Sequence, residues 1–216
     1  MKSNRNLRHL RLLACNLVLL LFAAFSFTGC TNGMALAKKQ DLTHPAKPIG
    51  IFTVRTENTY KPTYQPELTR VLFRSDALKD TTAFVASKPY RHAKNEYFEY
   101  LVSVDLPASD YSFTRAEGIG TGFLITGHFE FPIKARFTLT NGITYLGHVT
   151  MINRKRNEGE ERAGGIFPLI DQSVCGFSGG TFDIAISDRS ESDIPDFITA
   201  YPALKDVTIT KAVMQK

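Results

Sequence analysis

The stretch Lys134-Ala135-Arg136-Phe137-Thr138-Leu139-Thr140-Asn141-Gly142-Ile143-Thr144-Tyr145-Leu146-Gly147-His148-Val149-Thr150-Met151-Ile152 decides the reading of the fold. Ala135, Phe137 and Leu139 alternate with Lys134, Arg136, Thr138 and Thr140, the period-two pattern of a strand with one buried face. Asn141-Gly142 follows. It is the strongest two-residue hairpin signal, because a type I′ turn needs positive φ at both central positions. Ile143, Tyr145, Val149 and Met151 then fall on one face of a second strand. The expectation is a β-hairpin over Lys134–Ile152.

The same logic extends outward. Phe98, Tyr100, Val102 and Val104 alternate with Glu99, Leu101, Ser103 and Asp105, a half-buried strand. Pro107-Ala108-Ser109-Asp110 supplies a turn, and Tyr111-Ser112-Phe113 starts another strand. Arg154 to Gly165 reads as a charged, exposed hairpin loop, and Phe182, Ile184 and Ile186 mark a late strand. Ile194, Phe197, Ile198 and Tyr201 stand at i, i+3, i+4 and i+7, one face of a helix. Ser190, Ser192 and Asp193 offer capping oxygens. Pro195 restricts the helix to a short one starting close to it, and Pro202 ends it. Val207 and Ile209, extending to Lys211, read as a closing strand or tail. Short strands separated by turns, with one late helix, predict an antiparallel β-sandwich.

Two further stretches carry a resemblance. Pro107-Ala108-Ser109-Asp110-Tyr111-Ser112-Phe113 and Asn141-Gly142-Ile143-Thr144-Tyr145-Leu146-Gly147 are joined by the Ser-Asp-Arg segment before the helix and by Tyr201-Pro202. Over residues 96–204 this pattern resembles poorly characterised bacterial lipoproteins with an Ig-like β-sandwich. The resemblance implies that fold rather than an activity.

The beginning of the chain sets an address. Lys2, Arg5, Arg8 and Arg11 precede an apolar run from Leu12 to Phe27, the layout of a secretory signal peptide. The run is shorter than the about 20 residues a spanning helix needs. It ends in Phe27-Thr28-Gly29-Cys30, which resembles the lipobox of bacterial lipoproteins, with Phe27 where leucine is usual. The resemblance implies a cut before Cys30, a diacylglycerol on its thiol, and anchorage to a membrane. Thr31, where an aspartate would favour the inner membrane, implies the periplasmic leaflet of the outer membrane. A rival site is Ala35-Leu36-Ala37, an A-x-A pattern whose use would give a soluble periplasmic product. The expected organisation is a signal peptide over 1–29, a lipidated N-terminus with a flexible linker over 30–48, and the sandwich domain over 49–216.

Charge and cysteines narrow the classes. The chain holds 26 basic and 21 acidic residues, and four of the basic ones leave with the signal. The mature part is then almost neutral, which argues against a nucleic-acid partner. Cys15 leaves with the signal, Cys30 is the expected lipid acceptor, and Cys175 stands alone. A solitary cysteine reads best as a small buried hydrophobe.

The enzymatic leads centre on Gly176-Phe177-Ser178-Gly179-Gly180. It matches the hydrolase pattern G-x-S-x-G, yet a strand rather than a helix follows, and no histidine occurs after His148. The order of Gly120-Thr121-Gly122-Phe123-Leu124-Ile125-Thr126-Gly127-His128 and the Ser178 segment resembles a trypsin-like protease. That resemblance implies Ser178 as nucleophile and His128 as base, with no clear aspartate; Asp171 is too close to Ser178. The alternative is a glycine-rich turn between strands. His44, His92, His128 and His148 lack metal-ligand spacing. Asp183, Asp188, Asp193 and Asp196 do not match a calcium loop, and Asp188 and Asp193 read as turn and cap residues. Tyr60, Tyr64 and Tyr90, near Pro62, Pro66 and Pro89, either seal the ends of the sandwich or face a glycan or protein. The expectation is a non-enzymatic, lipid-anchored module that binds or scaffolds an envelope partner, with no cofactor and no metal. The alternatives are a serine hydrolase using Ser178 and His128, or an accessory subunit of an envelope assembly.

Overall fold

A computed structural model describes residues 32–36, 42–77, 79–93, 96–122, 125–166 and 172–216. The export segment, Cys30, Ala37 and Asp171 lie outside the described residues. In chain order the strands are β1 (Asn32–Gly33), β2 (Ile49–Asn58), β3 (Pro66–Ser75), β4 (Thr81–Val85), β5 (Arg91–Ala93), β6 (Tyr97–Asp105), β7 (Ser109–Thr121), β8 (Thr126–Leu139), β9 (Ile143–Lys155), β10 (Gly180–Ser187) and β11 (Ile209–Lys211). The helices are α1 (Gln172–Cys175) and α2 (Ser190–Ala200).

The strands form two sheets. One runs β1-β4-β3-β7-β8; the other runs β10-β9-β2-β6-β5, with β11 continuing the β10 edge of β9. The architecture is the expected β-sandwich with one short late helix. Most pairs are antiparallel, but β1/β4, β2/β9 and β11/β9 are parallel. Alternation is cleanest in β8, which turns Phe129, Phe131, Ile133, Phe137 and Leu139 inward and His128, Glu130, Lys134 and Arg136 outward. Phe52, Phe73, Phe84, Phe113 and Phe137 meet in the middle with centroids 4.9–6.0 Å apart. Each buried phenylalanine contributes about 1.5–3 kcal/mol by leaving water.

The hairpin expected over Lys134–Ile152 is corrected. Asn141-Gly142 does reverse the chain, with Gly142 at φ +96°. The strands it joins lie in opposite sheets: β8 pairs with β7, and β9 pairs with β2 and β10. A turn signal specifies reversal, not ladder pairing. Here the reversal crosses the sandwich, as the convergence of Leu139 and Leu146 on Gly50 shows; a Cβ there would sit 2.6 Å from Leu146 and 3.3 Å from Leu139.

A second correction concerns β9. Ile51 pairs with Tyr145 but Thr53 pairs with His148, so β9 carries one extra residue. Such a bulge reverses which face each later side chain occupies. Gly147, at φ +112°, supplies the backbone conformation that other residues rarely adopt. Ile143 and Tyr145 therefore face away from the main core, whereas Val149 and Met151 face into it. The four do not share a face.

The outer side of β2, β6 and β9 carries α2. Ile49, Ile51, Leu101, Ile143 and Tyr145 pack there with Phe197, and Ile194, Ile198 and Tyr201 close over them. The helical face read from the sequence is the one that docks. Its start differs from expectation: the helix begins at Ser190 and Pro195 lies inside it. Asp188 accepts a hydrogen bond from the Ser190 N–H at 2.9 Å, which fixes the first turn upstream of the proline. A 3-10 turn at Pro202–Leu204 follows.

The stretch expected as a flexible linker also differs. Asn32 and Gly33 pair with Phe84 and Val85. Met34 is 1 % exposed within the main core, and its carbonyl accepts from the Ser103 N–H at 2.7 Å. Leu36 and Leu42 are buried in the cluster beneath α2. The packed unit begins at Asn32, because the side chains at 34, 36 and 42 are apolar enough to find sites on it.

Candidate functional site

The glycine-rich segment lies at the end of the sandwich where β2 and β9 finish. Asn58, the last residue of β2, donates from Nδ2 to the carbonyls of Tyr64 and Cys175 at 2.7 and 3.0 Å. Its Oδ1 accepts from Asn153 of β9 at 3.0 Å. This polar knot holds the loop after β2 against α1. Cys175 is fully buried, as expected, with Sγ 3.4 Å from the Gly120 carbonyl. Phe177 enters the core against Phe129, centroids 5.5 Å apart. Tyr60 and Lys61 lie across Gly176, and Tyr64 packs on the core edge, so these aromatics seal the end. Tyr90 packs against the cluster under α2.

Ser178 occupies the turn between α1 and β10. The order is helix, turn, strand, the reverse of a hydrolase elbow. The Ser178 carbonyl accepts from the Arg162 guanidinium. Among the described residues, the Ser178 hydroxyl has no hydrogen bond to a histidine or a carboxylate. His128 points outward from β8, opposite Ile119. The structure does not bring the two side chains of the trypsin-like reading into a hydrogen-bonded pair.

His128 instead borders an open groove of about 670 Å³ on the outer face of the first sheet, with Arg70, Glu117, Glu130 and Arg162. Its charges are already matched. Arg70 Nε lies 2.9 Å from Glu117, and Arg115 bridges Glu117 and Glu130. Exposed pairs of this kind are each worth at most about 1 kcal/mol. Glu161 and Arg162 also line the groove, so with Arg115 beside it three arginines stand against three glutamates and leave no excess charge to select an anion or a cation.

The titratable groups that do converge are Tyr145, His148 and Asp193, in the seam between β9 and α2. Tyr145 donates to Asp193 Oδ2 at 2.8 Å. His148 Nδ1 lies 3.1 Å from the same oxygen and 3.2 Å from Oδ1. The Arg189 N–H donates to the Tyr145 hydroxyl at 3.2 Å. His148 is 2 % exposed, Asp193 4 % and Tyr145 fully buried. Burial alone would raise the Asp193 carboxyl, but the hydrogen bonds from His148 and Tyr145 outweigh it and hold the group below the usual aspartate range. Burial, with Asp193 adding, pushes the Tyr145 phenol well above its ordinary value. To bond the carboxylate, His148 carries its proton on Nδ1, which leaves the buried Nε2 without a partner. The group has the composition of a catalytic relay, yet it is closed to substrate and acts as a clasp for α2.

In the sequence His148 stands without metal-ligand spacing and Asp193 reads as a cap. Asp188 is the turn residue expected, whereas Asp193 belongs to the clasp. The signal that links it to His148 is Gly147, since the bulge it permits turns His148 toward the helix. His44 bonds Thr43 at 3.2 Å, and His92 stacks near Phe98. Among the described residues, no three side chains of the metal-binding types come together. Among those residues, no helix is long and apolar enough to cross a membrane. Compared with protein-family models, curated proteins and solved structures, the chain matches none.

Proposed function

We propose that this chain is a lipid-anchored protein of the bacterial envelope, cut before Cys30 and held by a lipid on that thiol. Its β-sandwich is then a non-enzymatic module that binds or scaffolds another envelope component, a protein or a glycan. The observation that carries the reading is Met34, 1 % exposed in the main core. A cut after Ala37 would discard β1, Met34 and Leu36 from the packed unit. Losing one buried methionine side chain costs about 2–5 kcal/mol, a large part of the about 5–15 kcal/mol that holds a domain together. A cut before Cys30 keeps all of them. Thr31 after the cysteine favours the outer membrane and its periplasmic leaflet.

Two features support binding over catalysis. Ser178 lacks a hydrogen-bonded base among the described residues, and a serine without one is a weak nucleophile. The acid–base group that is assembled lies sealed under α2. The test is metabolic labelling with radioactive palmitate in a double-membraned bacterium. The wild type takes up label and fractionates with the outer membrane, and Cys30→Ala does neither. Label that persists in Cys30→Ala would overturn the assignment.

A further inference from the structure

From the docking of residues 32–36 we infer that the edge of the sandwich formed by β1 and β4 lies on the lipid headgroups, with no spacer between the domain and the bilayer. The inference rests on the lipid at Cys30 proposed above and concerns what that lipid then does to the domain.

The length of free chain carries the argument. A flexible stretch from Thr31 to Lys47 would let the domain wander about 20–25 Å from its anchor. Asn32 and Gly33 are instead hydrogen-bonded along β4, and Met34 is fixed by the Ser103 N–H and hydroxyl at 2.7 and 3.0 Å. Only Thr31 remains between the lipidated residue and the fold. Two residues of extended chain span about 7 Å. The headgroup layer on each side of the hydrocarbon is about 5–7 Å deep. A tether no longer than that layer holds β1 at headgroup level whichever way the domain turns.

The surface at that edge fits the placement. Two large hydrophobic side chains are exposed among the described residues, Val85 and Ile166. Val85 pairs with Gly33, and its carbonyl accepts from the Met34 N–H at 3.0 Å. It therefore lies beside Gly33, which is three residues along the chain from Cys30. A lone apolar side chain beside a polar edge suits the boundary between headgroups and water. The opposite side of the sandwich, where β8 and β10 flank a groove lined by Phe131 and Ile184, is then turned away from the bilayer.

The experiment uses the full lipidated chain, extracted in detergent and reconstituted into phosphatidylethanolamine–phosphatidylglycerol vesicles. A fluorophore is placed at Val85→Cys or, in a second sample, at Glu158→Cys in the exposed loop between β9 and β10. Cys30 is consumed by the lipid and Cys175 is buried, so each sample carries one reactive thiol. A nitroxide on the lipid headgroup quenches the Val85 probe several-fold more than the Glu158 probe. A long glycine-serine insertion between Thr31 and Asn32 removes most of that difference. Equal quenching at the two positions in protein that carries palmitate overturns this inference alone. Absence of palmitate from the wild type overturns the anchor, and this inference with it.

Discussion

His148 and Asp193, 45 residues apart in the chain, meet at 3.1 Å in the seam between β9 and α2. This pair, with Tyr145, is the buried polar connection between the helix and the sheet, beside the more exposed Arg91–Asp196 ion pair at 2.6 Å. Its removal is therefore more costly than the loss of a surface contact.

Asp193→Ala leaves the His148 imidazole and the Tyr145 hydroxyl buried without their partner. A loss of about 2–6 kcal/mol is expected, from about 1–3 kcal/mol for each of the two buried polar groups left unsatisfied. Tyr145→Phe removes the bond to Asp193 and the one from the Arg189 N–H, and costs about 1–3 kcal/mol. Urea denaturation followed by circular dichroism measures both. Equal effects from the two variants would contradict the central place of the carboxylate.

The pH dependence has a fixed sign. Asp193 has a lower pKa folded than unfolded, because the hydrogen bonds from His148 and Tyr145 overcome its burial. The stability it contributes is complete above the unfolded value of about 3.9. It is lost as pH falls through the folded value below that. Asp188, drawn down to about 2 chiefly by the Ser190 N–H, acts in the same direction. Denaturation midpoints across the acid range should fall more steeply in the wild type than in Asp193→Asn.

Gly147 tests the bulge. At φ +112° a Cβ would also stand 3.0 Å from Val213 and 3.3 Å from the Ser187 carbonyl. Gly147→Val should lose about 1–3 kcal/mol and release α2 first, seen as faster amide exchange in residues 190–200 than in β3 or β7. Uniform loss of protection would mean that the bulge does not control the helix.

Ser178→Ala should leave stability within about 0.5 kcal/mol of the wild type, as for a surface position without special contacts. Hydrolysis of nitrophenyl esters by the wild type should equal that of the variant. A serine-dependent rate would restore the hydrolase reading.

What could be read in the chain, and what could not, follows from the range of each signal. Alternation is local, so the strands containing Phe98–Val104, Ala135–Leu139 and Phe182–Ile186 were visible, as was the Ile194–Tyr201 face. Sheet membership is not local. Asn141-Gly142 announces a reversal equally well within a sheet or across the core. The bulge at Gly147 shifts one residue and redirects every side chain after it, and one glycine in a strand is a faint mark for so large a consequence. Hence the clasp of Tyr145, His148 and Asp193 is not legible in the sequence, although each member stands out there singly. The docking of Met34 was hidden because its stretch is polar on average, while burial depends on the few apolar side chains within it.

The most direct measurement of the central claim is the intact mass and N-terminal sequence of the mature chain purified from membranes. The account predicts a chain beginning at Cys30 that carries a diacylglyceryl group on its thiol. An unmodified chain beginning at Lys38 would contradict it.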